Sequence, residues 1–448
     1  MAEKVFLVHG WSVKETTTYQ ALHLKLAAEG FDLSDVFLGR YVSLDDEVTV
    51  ADLAKGLHIT LRERLGKGAW KGSFHFVTHS TGALVVKEWL ANHYKGKCAA
   101  DRALRNIVFL AGPHFGSRLA HHGRSMLAHA VLGGDTGNKI LDALELGSPF
   151  SWENNGAWMN ESLWRGRGVN AFCLIGDRVV RNSMKAAILP AGYEKGSDMV
   201  VRAAAGNLNF SRYSLDGRKG TLTKTGGISG VPFGALSQYT HSGEKNGIMN
   251  SITKRADPAL PRWQNLKLIT ACLKVRNGQD LKVVSRLLDQ ATRVTRSKRP
   301  AFCQLDLNFL DETGHPVTDY CFALTERKGR GLVPSDAVAH LHKNLKSPSH
   351  LTLFLKYDSI ANPQSFVMQA NFSSGTPLTA YSPDPLSMEI EGEALKSFLR
   401  PDRTTQVEVL LKREPGPGLF AFLRGDSDKL HVRWNRKGET TERDLPIK

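Results

Sequence analysis

Apolar residues along the first half of the chain follow two alternating rhythms. Short, mostly apolar runs at Lys4–Val8, 73–78, 106–110 and 169–175 read as strands, with a further short one expected at 36–38. Between them, Leu22, Leu26 and Ala27 within 18–30, Leu53, Leu57 and Leu61 within 50–65, and the apolar stretch 82–94 keep helical spacing. Strands separated by helices predict a mostly parallel sheet covered on both faces, an α/β fold. From 115 to 168 the rhythm loosens. Leu127, Val131 and Leu132 suit one short helix, and Ile140, Leu141 and Leu144 another. With Met126, Trp152, Trp158, Met159 and Trp164, this insert is expected to form an apolar cap or lid over the sheet edge. Helical spacing returns over 263–292.

A basic segment at 293–300, ending in Pro300, is expected to close a first domain, 1–295. After it the pattern changes to short alternating runs at 302–310, 320–324, 351–357, 365–372, 386–390, 405–412 and 418–423, with turn residues between them. That spacing predicts an antiparallel, sandwich-like all-β accessory domain over 296–448.

Composition narrows the class. The chain has 448 residues, 41% hydrophobic and 23% charged, enough for two domains with full cores. No apolar run approaches the roughly 20 residues that span a bilayer. Five cysteines, an odd number with no CxxC, argue against a disulfide framework and a zinc knuckle. The N-terminal residues lack a basic segment followed by a long apolar one, so the chain is expected to be cytoplasmic as made, with signal-independent export left open. The net charge of +15 suits an anionic partner, either nucleic acid or acidic phospholipid. Aromatic–basic interleaving, a helix-turn-helix and an RNA-recognition signature are all missing, which turns the reading away from nucleic acid.

The chemistry centres on 74–86, FHFVTHSTGALVV. A strand ends at Thr78, His79-Ser80-Thr81-Gly82 follow, and an apolar helix begins at once. This is the strand–turn–helix setting of a nucleophile elbow, which lifts Ser80 above the sheet and aims the Thr81 backbone N–H at the attacked carbonyl. Thr78 stands where the G-x-S-x-G pattern has its first Gly. His9-Gly10-Trp11-Ser12, after the first strand, offers the Trp11 N–H as a second oxyanion donor. A serine nucleophile needs a base and an orienting acid. Two acids compete: Asp177, closing the run CLIGD, and Asp198, in a polar turn before Val200-Val201. Asp198 is the preferred one. His241, in YTHSG, is the expected base, while His9 and His79 are expected to flank the site. His114, His121, His122 and His129 tempt a metal reading, but no HExxH or nearby carboxylate supports it, and neither metal nor cofactor is expected.

Together these pieces resemble the α/β-hydrolase superfamily, and more narrowly its bacterial lipase and GPI-inositol-deacylase-like branch. The matching phrases are His9–Trp11, His79–Gly82, LAGPHFGS at 110–117, GSDMVV at 196–201, GNLN at 206–209 and HSGEKNGIM at 241–249. The resemblance covers roughly the first 250 residues. It implies a triad of Ser80, Asp198 and His241 acting on lipid esters. Lipases of this kind resemble effectors delivered by the type VI apparatus. The expected activity is therefore a serine carboxylic-ester hydrolase of lipase or phospholipase A type at a lipid or membrane surface. A small-molecule esterase, or an inactive hydrolase scaffold that binds membranes or partners, is the alternative.

Overall fold

The structure is a computed structural model, and it describes residues 2–10, 21–33, 47–66, 73–94, 104–120, 137–180, 194–253, 264–360, 365–416, 429–436 and 439–446. The expected strands at 36–38 and 418–423, and the helix around Leu127, lie outside the described residues.

Strands β1 (Lys4–Val8), β2 (Phe74–His79), β3 (Leu104–Leu110) and β4 (Asn170–Gly176) pair side by side in chain order. Two strands, β5 (Phe210–Asp216) and β6 (Thr221–Ile228), leave this sheet before β7 (Phe233–Leu236) returns to pair with β4. Every pairing in the five-stranded sheet is parallel. Successive side chains of a strand point to opposite faces, and here both faces are apolar. Phe6, Val8, Phe76, Ile107 and Phe109 pack on one side with α2 (Val50–Gly66) and α3 (Gly82–Asn92). Val5, Leu7, Val77, Val108 and Leu110 pack on the other with α1 (Leu22–Ala28).

The insert contributes α4 (Asn138–Leu144) and α5 (Pro149–Trp158). Its tryptophans do not form an apolar outer surface. Trp158 and Trp164 lie in the first core, their rings 5.2 Å apart, and Trp158 Nε1 donates to the Lys87 carbonyl at 3.0 Å. Trp152 is buried against the C-terminal half, its ring 5.6 Å from His350.

The helical stretch expected over 263–292 is two helices, α6 (Gln264–Leu273) and α7 (Gly278–Arg296). Asn277 breaks them apart: its side chain accepts from the N–H groups of Gln279 and Asp280 at 2.8 and 3.0 Å, the usual way to satisfy a helix start.

The C-terminal region is a two-sheet sandwich. One sheet holds β9 (Tyr320–Lys328), β10 (Gly331–Pro334), β13 (Ser365–Phe372) and β15 (Leu386–Glu391). The other runs β11 (Val338–Lys343), β12 (His350–Lys356), β8 (Phe302–Asp311), β16 (Thr404–Pro415), then β5 and β6, with β14 (Thr379–Ser382) also on β16. The antiparallel expectation needs correction here, because β16 is parallel to both β8 and β5. Neither pair is joined by a hairpin turn that would dictate its direction: β5 is lent by the first half of the chain, and the strands of the other sheet lie between β8 and β16 in sequence.

Alternation along β8 explains how the halves meet. Cys303, Leu305, Leu307 and Phe309 face the sandwich core. Gln304 and Asp306, on the opposite face, are also buried, and Gln304 Nε2 donates to the Phe115 carbonyl at 3.3 Å. A face that reads as solvated is instead a polar interface with the N-terminal half.

Candidate active site

β2 delivers the candidate nucleophile. Ser80 follows its last residue with φ 53, a left-handed conformation that a non-glycine residue adopts only where its surroundings hold it there. Its N–H donates to the Leu110 carbonyl at 3.0 Å, and its own carbonyl accepts from Ala83 N–H at 3.0 Å, pinning the turn between β3 and α3. Two glycines make room for it. A Cβ on Gly82 would stand 2.3 Å from the Val8 carbonyl oxygen, and one on Gly10 would stand 2.5 Å from Ser80 Cβ and 3.1 Å from Ser80 Oγ. The His9-Gly10 loop therefore touches the nucleophile directly. Thr78, at the departure from the glycine pattern, is accommodated with its side chain buried.

Thr81 is the N-cap of α3, where backbone N–H groups have no carbonyl within the helix to bond and remain available to an oxyanion. Trp11, the other expected oxyanion donor, lies outside the described residues.

Asp198 and His241 come from loops beyond β4 and β7, and both are buried. His241 Nδ1 lies 2.9 Å from Asp198 Oδ2, and the His241 backbone N–H donates to the Asp198 carbonyl at 2.8 Å. The other carboxylate oxygen, Oδ1, accepts the N–H groups of Val200 and Val201 at 2.9 and 2.7 Å. One oxygen is thus held by the backbone and the other is left to the imidazole.

His79 ties this pair to the elbow. Adjacent to Ser80 in sequence, it donates from Nε2 to the His241 carbonyl at 3.0 Å, and the two rings lie 4.7 Å apart. His9 follows, its ring 5.1 Å from His79. Both flanking histidines are neutral: burial, the larger cause, and the nearby His241 hold His9 down to about 4 and His79 well below the usual imidazole range.

The rival acid is engaged elsewhere. Asp177 Oδ2 accepts from Arg296 Nη1 at 2.5 Å, and the same guanidinium pairs with Asp402 at 2.6 Å. Asp177 thus fastens the end of β4 to α7 and the sandwich. His114 is buried beside Cys173, Nε2 to Sγ 3.7 Å, while His121, His122 and His129 lie outside the described residues.

One residue of the site's surroundings carries a signal that the sequence reading passed over. Arg202 lies four positions after Asp198, in the otherwise small and apolar run VVRAAA, and is 1% exposed. A long cation in such a run is a mark of a buried partner.

A parallel sheet flanked by helices, a strained serine between β2 and α3, and an acid–imidazole pair beyond later strands define an α/β-hydrolase of the lipase-like kind. No protein-family model and no curated protein sequence matches the chain. Among solved structures, it is similar to phospholipase PlaB from Legionella pneumophila, with a TM-score of 0.83 and 27% identity over 95% of this chain and 96% of that one. A structure of PlaB in complex with thio-NAD matches over 99% and 100% of the two chains, again at TM-score 0.83 and 27% identity. A Bacillus licheniformis lipase, BlEst2, aligns over 46% of this chain and 80% of its own, with 19% identity and a TM-score of 0.36.

Proposed function

We propose that this chain hydrolyses carboxylic esters of phospholipids through Ser80, Asp198 and His241, by way of an acyl-enzyme. With its Nδ1–H given to Asp198, the His241 imidazole keeps its Nε2 lone pair as the base for the Ser80 hydroxyl. The resulting alkoxide attacks the ester carbonyl, and the Thr81 and Trp11 N–H groups receive the negative oxygen. His241 returns the proton to the leaving alcohol, then activates the water that releases the fatty acid. The reading rests above all on the Asp198–His241 pair being joined, through His79, to a serine held at φ 53.

The whole-length likeness to a phospholipase supports phospholipid as the substrate class. The outward face of α7 supports an anionic surface. It exposes Val283, Leu287 and Val294 beside Lys282, Arg286 and Arg293, and Thr295 near its end bonds the Ala235 carbonyl of β7 at 2.7 Å. Apolar and basic side chains together are what binds an acidic bilayer.

Product analysis tests the proposal. Purified protein incubated with phosphatidylglycerol vesicles should release fatty acid and lysophospholipid, and Ser80→Ala should release neither. Equal product from both proteins would overturn the assignment.

A further inference from the structure

The turn that carries Asp198 has its own anchor. Ser197 and Arg202 form an antiparallel bridge, and Ala203 N–H donates to the Gly196 carbonyl at 2.8 Å. Residues 196–203 therefore close into a loop with Asp198 near its tip and Arg202 at its base. The Val200 and Val201 amides that hold the carboxylate belong to this same loop, so the aim of Asp198 depends on where the base is fixed.

Arg202 fixes it to two places. Within the hydrolase half its guanidinium grips Glu194, Nε to Oε2 at 2.9 Å and Nη2 to Oε1 at 3.1 Å. Across the interface, Nη1 donates to Gln304 Oε1 at 3.2 Å and Nη2 to His340 Nδ1 at 3.0 Å, while the guanidinium carbon sits 4.2 Å from the centre of the Phe354 ring. Phe302, stacked on Phe354 at 4.7 Å, occupies the space a Cβ on Gly196 would need, 2.4 Å from its Cδ2. Arg118 also reaches Glu194, at 3.3 Å. Burial would raise the Glu194 carboxyl, but Arg202 and Arg118 outweigh it and lower it; burial, then the two guanidiniums, hold His340 to about 3, a neutral acceptor.

A buried charge cluster of this kind adds little net stability over a well-packed apolar one. What it supplies is direction, because a guanidinium fork meets its partners in one geometry. We propose that Arg202 is a positioning residue: by fastening the base of the Asp198 loop to Gln304, His340 and Phe354, it aims the carboxylate at His241 and makes the C-terminal sandwich part of the catalytic unit. The inference rests on the proposed Ser80–Asp198–His241 mechanism.

Full-length Arg202→Met, Arg202→Lys and Gln304→Leu, assayed on a soluble p-nitrophenyl ester, test it. Arg202→Met should lower kcat by about 100-fold with KM nearly unchanged, the cost of a misaimed catalytic group. Gln304→Leu should move the same way by less, and Arg202→Lys should recover part of the rate. The acid limb of the kcat profile should shift to lower pH, since an imidazolium that loses its carboxylate gives up its proton more readily. Among the described residues, the titratable groups facing His241 are Asp198, His79 and His9. Folded variants that melt earlier but keep the wild-type kcat and acid limb would overturn the inference, and Gln304→Leu decides if Arg202→Met does not fold. Asp198→Asn separates the two levels. If it is inactive while the Arg202 and Gln304 variants behave as wild type, only this inference falls; if it is fully active, the underlying mechanism falls as well.

Discussion

Asp198 and His241 meet twice, once through side chains at 2.9 Å and once through the backbone at 2.8 Å, where the His241 N–H donates to the Asp198 carbonyl. The second contact fixes the base of the imidazole before the first orients its ring. Together they leave the ring one tautomer and one direction in which to accept a proton.

Ser80→Ala should lower kcat by about 10⁶-fold, since removing the nucleophile disables the whole unit at once. Labelling by a fluorophosphonate probe should vanish in the same variant. Labelling that persists would place the nucleophile elsewhere.

The two acids should separate cleanly. Asp198→Asn should reduce kcat by about 10⁴-fold with little change in melting temperature, because the wrong tautomer is stabilised. Asp177→Asn should keep the rate but lose about 3 kcal/mol of stability, the cost of breaking a buried pair with Arg296. Chemical denaturation and steady-state kinetics on both variants check this, and the reverse pattern would transfer the acid's role to Asp177.

Gly10→Ala should cost about 100-fold in kcat through displacement of Ser80, although the new methyl takes no part in the reaction. The motive is the 2.5 Å approach of that Cβ to Ser80 Cβ. Wild-type turnover in this variant would show that the loop after β1 has room to withdraw.

Stability should fall on mild acidification. Burial, the leading cause in each case, holds His9, His75 and His350 to about 4, and His114 well below the usual range. Their folded values lie below the unfolded one near 6.5, so the unfolded chain takes up protons first. The stabilisation is complete above about 6.5 and is lost progressively as pH falls toward about 4. Urea midpoints measured from pH 8 to pH 4.5 should be flat and then decline; a midpoint constant through pH 5 would refute the burial argument.

Neutralising Lys282, Arg286 and Arg293 to Gln should weaken binding to phosphatidylglycerol vesicles by about 100-fold, at about 1 kcal/mol per basic residue. Turnover of a soluble short-chain ester should stay at the wild-type level. Vesicle sedimentation reads the first and kinetics the second. Unchanged sedimentation would move the membrane-facing surface away from α7.

The elbow was legible because a switch from strand to helix periodicity brackets Ser80 within a few residues. The choice between Asp177 and Asp198 rested on local context and on the GSDMVV phrase that carries the family resemblance. What separates them in space is Arg296, a residue more than a hundred positions from Asp177, on a helix of its own. Aromatic composition suggested a lid, but composition does not say which way Trp158 and Trp164 point, and they point into the core. Gln304 and Asp306 alternate with apolar residues as on any half-solvated strand, so only the assembled fold reveals that their face is covered. The strands at 210–216 and 221–228 bury few apolar side chains, and the first of them pairs with a partner near the far end of the chain, which leaves no local mark.

That long-range loan of a hairpin has a consequence for biosynthesis. Residues 210–228 emerge from the ribosome well before 404–415, the strand that covers the open side of β5. Until then the nascent chain carries a bare strand edge, a ready template for association with other chains. Premature termination between residues 228 and 404 would leave that edge permanently uncovered, and such fragments should be substrates for chaperones and proteases rather than miniature enzymes.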